Sequence, residues 1–390
     1  MNAAPTASGP RRVALVSYST KPRGGVVHTL SLAEALVEEA MPVTVVSLGA
    51  PDEGFFRPVR APYTLIAPPA PLPTLEERVF ASIAALERGL ADLAQDFDVL
   101  HTQDCISARA AARVRDAGAD VRVVRTVHHV DDFTTPALVE CQRQAILEPD
   151  ELVVVSEDWR TRLERDYHRS ARVIHNGVDA ERFPPVEPER RRLLRRQRGV
   201  SDRFVFLAVG GIEPRKGSVF LLEALALLAK ELEPAPALLV IGGHSFQDYR
   251  AYRDEVLGKL PGLGLELDRD VCLLGTVSDE ELHEWYRSAD ALAFPSVKEG
   301  WGLAVLEAMC ADLPVVTSDL AVFREYLTDR ETAIMTRVGD SGSLAAGMRE
   351  LVLDAALRDR LVEAARALPP TFSWRRAALA HVRLYAELGS

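Results

Sequence analysis

The chain has 390 residues, of which 47% are hydrophobic and 26% are charged, and its formal net charge is −11. This composition is typical of a folded globular protein, the length fits two domains of roughly 150–200 residues, and the acidic balance argues against general nucleic-acid binding. No apolar run approaches the roughly 18–20 residues that a membrane-spanning helix needs. The four cysteines, Cys105, Cys141, Cys272 and Cys310, lack metal-ligand spacing, which favours a reducing cytoplasm and no structural zinc.

In the first half of the chain, short apolar runs alternate with segments of helical periodicity. Strands are predicted at residues 13–16, 43–47, 99–101, 121–127, 152–156 and 172–174, with helices at 29–40, 76–95, 108–116 and 158–167. This alternation predicts a parallel sheet covered by helices, and therefore an α/β fold. We assign the first domain to residues 1–185, and we expect the segments 51–73 and 131–144 to be variable loops.

The second half begins with a proline-containing connector and an arginine-rich helix, together residues 186–203. We interpret the arginines between Arg190 and Arg198 as a solvated surface; the alternative is peripheral contact with anionic lipid at the inner face of the membrane. A second α/β domain, residues 204–368, has predicted strands at 204–206, 238–242, 271–274, 291–294 and 315–317. Residues 369–390 are predicted to form a C-terminal helix.

The most informative segment follows the apolar run at residues 291–295 and contains two glutamates, Glu299 and Glu307. Its glycines, Gly300 and Gly302, predict a turn from a buried strand into a helix. The first backbone N–H groups of such a helix are unpaired and favour an anion such as phosphate, and glycine lets that anion come close. Glu299 would lie in the turn and Glu307 about one turn inside the helix; the alternative for Glu307 is an ordinary solvated carboxylate.

Two further glycine turns follow predicted strands. One contains Gly24 and Gly25, and the other contains Gly211 and leads to Arg215 and Lys216. A guanidinium fork beside a compact ammonium group suits a diphosphate. The alternatives are a surface salt bridge for the two cations and a plain strand-to-helix turn for the first glycine pair.

Together these features resemble the retaining nucleotide-sugar glycosyltransferases of family four, also described as glycosyl transferases group 1. The resemblance covers almost the whole chain and rests on segments in the family's order: residues 22–26, 126–128, 174–179, 215–217, 274–278 and 299–307. It implies the GT-B fold, in which two Rossmann-like, doubly wound domains face each other across a cleft. It also implies an acceptor site on the first domain, a nucleotide-sugar site on the second, and a C-terminal helix that crosses back to the first domain.

The resemblance implies roles for individual residues. Arg215 and Lys216 would hold the donor diphosphate and stabilise the leaving group, and Glu299 would contact sugar hydroxyls. Glu307 would accept hydrogen bonds from ribose hydroxyls, and His128 would meet the outer hydroxyl of the sugar, with a loop histidine that is merely satisfied as the alternative. The other implied donor-binding positions are Gly24, Gly25, Gly211, Val277 beside the base, and the backbone of Gly300, Trp301, Gly302 and Leu303.

Two positions depart from the family pattern or have a second explanation. Where many relatives carry Gly-Arg, this chain has Gly211 followed by Ile212, although the cationic pair Arg215 and Lys216 is kept. Ser278, next to Val277, is followed by Glu281 three residues later, which is also the pattern of a helix capping box.

The implied reaction is metal-independent transfer of a hexose-like unit from a nucleoside diphosphate sugar to an acceptor hydroxyl, with retained anomeric configuration. In the front-face route the departing phosphate oxygen takes the acceptor proton, so neither a carboxylate nucleophile nor a cofactor is expected. The alternatives are a nucleotide-sugar sensor and a sugar phosphate synthase or phosphorylase of the same architecture. An NAD-dependent oxidoreductase is disfavoured because no dinucleotide fingerprint follows Gly24 and Gly25.

Overall fold

The chain divides into two compact units in the computed structural model, which describes residues 10–243, 247 and 249–388. The first unit runs to Asn176 and also contains the segment that begins at Trp374, whereas the second unit runs from Gly177 to Ser373.

The first unit is a parallel sheet with helices packed on it. Its strands are β1 (Val13–Ser17), β2 (Val43–Leu48), β3 (Tyr63–Ile66), β4 (Val99–Thr102), β5 (Arg122–Val127), β6 (Glu151–Val154) and β7 (Arg172–Val173). Its helices are α1 (Gly24–Glu38), α2 (Leu75–Leu93), α3 (Cys105–Asp116), α4 (Pro136–Leu147), α5 (Glu157–Tyr167) and, at the end of the chain, α15 (Trp374–Glu387). The strand order is β3-β2-β1-β4-β5-β6-β7.

The second unit repeats this architecture. Its strands are β8 (Val205–Val209), β9 (Ala237–Ile241), β10 (Val271–Gly275), β11 (Ala291–Phe294), β12 (Val315–Ser318) and β13 (Ile334–Thr336), in the order β10-β9-β8-β11-β12-β13. Its helices are α6 (Pro188–Gln197), α7 (Ser218–Glu231), α8 (Arg250–Gly258), α9 (Leu260–Leu263), α10 (Asp279–Ser288), α11 (Leu303–Cys310), α12 (Ala321–Arg324), α13 (Ser341–Leu353) and α14 (Ala355–Ala365).

The strands are continuous apolar runs because both faces of each sheet are covered. Every residue of β1 and of β9 is buried, as expected for parallel strands between two layers of helices. In the first core Leu15 and Val45 belong to the same cluster as Leu30 of α1, and in the second Phe206 clusters with Leu225 of α7. The predicted α/β class with two doubly wound sheets is therefore confirmed.

Both sheets have a switch point beside the first strand of the unit. β1 lies between β2 and β4, and β8 lies between β9 and β11, so successive strands are added first on one side and then on the other. Ligands of doubly wound proteins bind at the carboxyl ends of the strands at such a point. The loops that follow β8 and β11 contain Lys216 and Glu299, so the topology places these loops next to each other.

The boundary between the units differs from the one predicted at residue 185. The backbone N–H of Val178 donates to the carbonyl of Phe372 at 2.7 Å, and Val178 forms a parallel bridge with Ser373. Arg182 forms an ion pair with Asp279. Residues 177–203 are therefore part of the second unit rather than a connector, and the segment of the first unit at the end of the chain begins at Trp374 rather than at 369.

The arginines of α6 are bound largely by carboxylates of their own unit. Arg190 contacts Glu284 at 2.6 Å, and both Arg191 and Arg195 contact Asp290, at 2.7 and 2.9 Å. These ion pairs give protein partners to three of the six arginines between residues 190 and 198. Contact of this segment with a membrane stays a prediction. Among the described residues, no helix is both long and apolar enough to cross a bilayer.

Two predicted loops contain regular structure, and one helix begins earlier than predicted. Residues 131–144 include the start of α4, which has Pro136 at its first position, where a missing N–H costs nothing. Residues 51–73 include β3, an edge strand of the sheet. It was not predicted because two of its four residues are exposed and it therefore lacks the continuous apolar run of a buried strand. Helix α1 starts at Gly24 because Arg23 is already extended as its N-cap residue, so Gly24 and Gly25 form its first turn.

Three fully buried histidines lie between the sheet of the first unit and the helices α1 and α15. His101 on β4 is hydrogen-bonded through Nδ1 to the Tyr385 hydroxyl at 2.6 Å and through Nε2 to Thr126 Oγ1 at 2.8 Å. His381 Nδ1 donates to the Ala377 carbonyl at 2.8 Å, and His28 Nδ1 lies 2.8 Å from Asn176 Oδ1. Burial lowers the pKa of all three imidazoles, that of His381 to about 4.

We expect the first unit to lose stability as the pH falls from about 6.5 towards 4. A histidine in the unfolded chain has a pKa of about 6.5. Below that pH the three histidines therefore bind protons in the unfolded chain but stay neutral in the folded chain. The free energy of unfolding then falls by up to about 1.4 kcal/mol per pH unit for each histidine, and the full contribution is regained above pH 6.5. Urea unfolding across this pH range measures the slope. The variant His381→Asn keeps a donor for the Ala377 carbonyl and removes one titrating group, so the pH dependence of the unfolding free energy should fall by the equivalent of about one bound proton. An unchanged pH dependence would show that His381 is not a source of the acid sensitivity.

Candidate active site

The loop after β8 is shaped by glycines in the left-handed region. Gly210, Gly211 and Gly217 have φ values of 121°, 75° and 67°. A Cβ on Gly217 would overlap the carbonyl oxygen of Pro295, and a Cβ on Gly211 would lie 3.0 Å from the Gly243 carbonyl oxygen. The loop is also joined to the one after β11, since Val297 N donates to the Arg215 carbonyl at 2.8 Å. Glycine is therefore required here by backbone packing, in addition to any approach of a ligand.

Replacing Gly217 by alanine should destabilise the second unit by at least about 3 kcal/mol, from the left-handed backbone and the overlap with Pro295 together. Thermal and urea unfolding would measure the loss. Gly264→Ala is the matched control, because Gly264 has a φ of 75° but no atom within 4 Å of an added Cβ. The control should cost only about 1 kcal/mol. Equal losses in the two variants would show that the contact with Pro295 is unimportant.

Lys216 and Glu299 form the centre of the site. Lys216 Nζ donates to Glu299 Oε2 at 2.7 Å and lies 4.4 Å from the centroid of the Phe294 ring. Arg215 Nη1 is 3.8 Å from the same carboxylate oxygen, and its Nε is 3.0 Å from Glu213 Oε2. The Lys216 and Glu299 side chains are only 13% and 12% exposed, so this pair is not the surface salt bridge considered as the alternative.

Burial and mutual attraction set the charges of this pair. Burial alone would raise the pKa of Glu299, but Lys216 and Arg215 lower it to about 2. Burial lowers the pKa of the Lys216 ammonium, with Arg215 acting in the same direction and Glu299 opposing both. The ionised Glu299 holds the two cations at the carboxyl ends of β8 and β11. Lys216 and Arg215 can form ion pairs with an anionic ligand from these positions.

The turn into α11 contains the glycines and tryptophan predicted there. Gly300 N donates to Glu299 Oε1 at 3.1 Å, and Gly302 caps the helix with a φ of 85°. A Cβ on Gly302 would lie 2.5 Å from Phe323 Cε1, so core packing also requires this glycine. Trp301 as a whole is 2% exposed, and its ring packs on Tyr326 and Phe372. Trp301 is therefore part of the core of the second unit, where its carbonyl accepts from the Tyr326 hydroxyl at 3.0 Å, and Leu303 begins the helix beside it.

Glu307 lies inside α11 and has a partner that the sequence did not indicate. The hydroxyl of the fully buried Tyr286 on α10 donates to Glu307 Oε2 at 2.7 Å. Val277 is half-buried in the loop between β10 and α10, and the hydroxyl of Ser278 accepts from Glu281 N as the N-cap of α10. Glu307 is thus a hydrogen-bonded, half-buried carboxylate rather than a freely solvated one.

The predicted residues of the first unit form a second group around His128. His128 Nε2 is 3.2 Å from Gln103 Oε1, its ring meets that of His28 edge-on at 4.6 Å, and a Cβ on Gly25 would lie 3.7 Å from it. Burial lowers the pKa of His128 to about 3, so its imidazole is neutral at physiological pH. The neighbouring His129 instead contacts Asp131 at 3.4 Å.

The structure thus brings the predicted residues together in two groups, one in each unit. Sequence patterns alone missed Tyr286, Gln103 and Ser296, whose hydroxyl donates to Glu299 Oε2 at 3.3 Å. Tyr286 and Gln103 lie on different elements from their partners, and Ser296 lies in a loop without a recognisable motif. No sequence pattern could therefore have predicted these three residues. Across the described residues, no three His, Cys, Asp or Glu side chains are arranged to hold a metal ion.

Comparison with known proteins identifies the family. Residues 190–368 match the family described as Glycosyl transferases group 1, and residues 22–182 match Glycosyltransferase Family 4. The D-inositol 3-phosphate glycosyltransferase of Geodermatophilus obscurus is 30% identical over 98% of this chain and 90% of its own length. The enzyme of the same name from Xylanimonas cellulosilytica is 28% identical over 98% of both chains.

Solved structures support the same fold. Anabaena Alr3699/HepE, crystallised with UDP and glucose, has a TM-score of 0.80 at 19% identity, covering 97% of this chain and 100% of its own. WaaG, a glycosyltransferase involved in lipopolysaccharide biosynthesis, has a TM-score of 0.74 at 19% identity, covering 96% of this chain and 99% of its own. At these identities the likeness concerns the fold alone, whereas the family matches extend to both units. The chain therefore belongs to the glycosyl transferases of group 1, in glycosyltransferase family 4, and is a glycosyltransferase.

Proposed function

We propose that the protein transfers a hexose-like sugar from a nucleoside diphosphate sugar to an acceptor hydroxyl, with retained anomeric configuration and without a metal ion. The observation that carries the proposal is the buried contact between Lys216 and Glu299, with Arg215 beside it, at the carboxyl ends of two adjacent strands. Two cations next to the N-terminus of α11 suit a diphosphate, and a fixed carboxylate suits sugar hydroxyls. The UDP-glucose complex of Alr3699/HepE is in keeping with this class of donor.

The reaction is proposed to follow a front-face route. The bond between the anomeric carbon and the phosphate oxygen breaks, its electron pair stays on that oxygen, and Arg215 and Lys216 stabilise the charge. The acceptor oxygen bonds to the same face of the anomeric carbon, and its proton passes to the departing phosphate oxygen. Preorganised positive charge at the leaving group is a major term in such a step. Glu299 orients the sugar, and His128, being neutral, offers a hydrogen bond rather than a charge.

Nucleotide release from a panel of UDP-, GDP-, ADP- and dTDP-sugars, measured with EDTA present, tests this proposal. We expect nucleotide release from at least one donor. The sugar first released by hydrolysis, or the glycoside formed with an acceptor, should keep the anomeric configuration of the donor. An inverted product, or release that requires added Mg²⁺, would contradict the proposed mechanism. Turnover that requires inorganic phosphate or a sugar phosphate would instead indicate the phosphorylase or synthase alternative. Tight binding of one donor without turnover, with any acceptor tried, would favour a nucleotide-sugar sensor.

A further inference from the structure

Tyr286 is a fully buried tyrosine whose hydroxyl has a charged partner in the candidate site. The hydroxyl donates to Glu307 Oε2 at 2.7 Å, a short, charge-assisted hydrogen bond. Tyrosine hydroxyls usually find a polar partner when they are buried, and here that partner is a carboxylate that is itself half-buried. The bond joins α10 to α11, two helices of the same unit.

The position of the hydroxyl is fixed by the surroundings of α10. The Tyr286 ring meets Phe183 edge-on, with 5.5 Å between centroids. The next residue, Arg287, donates to the Phe183 carbonyl at 2.9 and 2.6 Å and to the Cys310 carbonyl, at the end of α11, at 3.1 Å. The helix that carries Tyr286 is thus tied to the helix that carries Glu307 at a second point, so the tyrosine can hold the carboxylate in one orientation.

The hydrogen bond also favours the ionised form of Glu307. Burial raises the pKa of Glu307, and the Tyr286 hydroxyl, together with Arg182, opposes that increase. An ionised carboxylate accepts hydrogen bonds on both oxygens, whereas a protonated one uses one oxygen as a donor. With Oε2 shared with Tyr286, the remaining acceptor positions have a defined direction, as needed for the two neighbouring hydroxyls of a ribose.

We infer that Tyr286 is a positioning residue that holds Glu307 for ribose hydroxyls, so that the protein selects ribonucleoside over 2′-deoxyribonucleoside diphosphates. This inference rests on the proposed function, in which Glu307 accepts from the ribose. Tyr286 would also link the ribose site to the base site, because α10 begins at Asp279, two residues after Val277, the predicted neighbour of the base. A site that is built to bond a hydroxyl rejects the analogue that lacks it, since its polar group is then left unsatisfied.

The test is a binding comparison with the full-length chain. Calorimetric titrations with UDP, GDP and ADP are each paired with dUDP, dGDP and dADP, so the result does not depend on which base the protein prefers. For the preferred base, we expect the parent to bind the ribonucleotide at least about tenfold more tightly than the deoxynucleotide. Tyr286→Phe should lower this ratio about threefold or more, and Glu307→Gln should bring it close to one.

Tyr385→Phe is the matched control, because Tyr385 is another fully buried tyrosine hydrogen-bonded to a titratable side chain, His101, but lies in the first unit. It should lower the melting temperature and leave the ratio unchanged. A Tyr286→Phe variant that weakens both nucleotide forms equally, or that keeps the parental ratio while Glu307→Gln loses it, overturns the inference. A ratio unchanged by Glu307→Gln, or no binding by the parent of any of the six nucleotides or of dTDP, overturns the proposed function instead. Binding of dTDP alone would overturn the inference and leave the proposed function standing.

A second measurement separates positioning from a purely structural role. Without the Tyr286 hydroxyl, the pKa of Glu307 should rise further, with Arg182 and the Cys310 thiol unchanged around it. Ribonucleotide affinity in Tyr286→Phe should therefore begin to fall at a higher pH than in the parent as the solution is acidified. Identical pH profiles for the two proteins would overturn the inference.

Discussion

Replacing Lys216 by alanine is expected to lower kcat for donor turnover about 10³-fold, the largest effect of any single substitution in the site. The ammonium group is held by Glu299 at 2.7 Å and lies over the Phe294 ring, so it is ordered before a ligand arrives. Its removal leaves Arg215 as the remaining cation of the predicted pair and leaves Glu299 without its closest partner. Steady-state nucleotide release by parent and variant, with saturating donor, measures the loss.

Lys259→Ala is the matched control for this experiment. Lys259 also pairs with a glutamate of the second unit, Glu255 at 3.1 Å, but both side chains are exposed and belong to α8 and its C-cap, outside the loops that follow β8 and β11. We expect the control to change kcat by less than about twofold, since exposed ion pairs contribute little. If Lys216→Ala kept more than about a tenth of the parental kcat, the ammonium group would not be stabilising the leaving group.

The second large effect is expected for Glu299→Gln, which should lower kcat/KM for the nucleotide sugar about 10²-fold. The carboxylate accepts from Lys216, Ser296 and the Gly300 backbone, and glutamine has one acceptor oxygen to replace two. Sugar hydroxyls would lose a charged acceptor. In contrast, the nucleoside diphosphate without sugar should bind at least as tightly as before, because a negative charge beside its phosphates is removed.

The contrast between donor and nucleotide is the sensitive part of this prediction. Parallel calorimetric titrations with the nucleoside diphosphate and kinetic measurements with the full donor would reveal it, with Glu255→Gln as the exposed control. Since the pKa of Glu299 is about 2, its protonation cannot produce a pH dependence of activity above about pH 4. Equal losses of nucleotide and donor affinity would show that Glu299 acts through the diphosphate site rather than through the sugar.

The local sequence was sufficient to predict which loops carry the candidate site, whose role stays a prediction. Apolar runs that end in glycines before a helical pattern marked the ends of β8 and β11, and the adjacency of those strands explains why Lys216 and Glu299 meet. The family assignment and the α/β class followed from the same segments. What the glycines do was only partly foreseen, because Gly217 and Gly302 are also required by Pro295 and Phe323, which are distant in sequence.

Contacts between separate elements could not be predicted from spacing. Tyr286 meets Glu307 across two helices, and Gln103 meets His128 across two strands. The departure at Gly211 and Ile212 is a similar case: the sequence shows that an arginine is missing there. Only the fold shows that Arg215, on the other side of the turn, lies 3.8 Å from the Glu299 carboxylate. The boundary at residue 176 depended on Val178 pairing with Phe372, nearly two hundred residues away in the sequence.

That pairing makes the second unit an insertion within the first, with consequences for folding during synthesis. The second unit has all its residues once Ser373 has left the ribosome, and its core can then close. The first unit still lacks α15, which supplies Ala378, Leu384 and Tyr385 to its core and the partner of His101. The part of the first unit that is translated first therefore completes its core only after the part translated last, and the apolar surface against which α15 packs stays uncovered in the meantime. This interval is when we expect the nascent chain to depend most on chaperones.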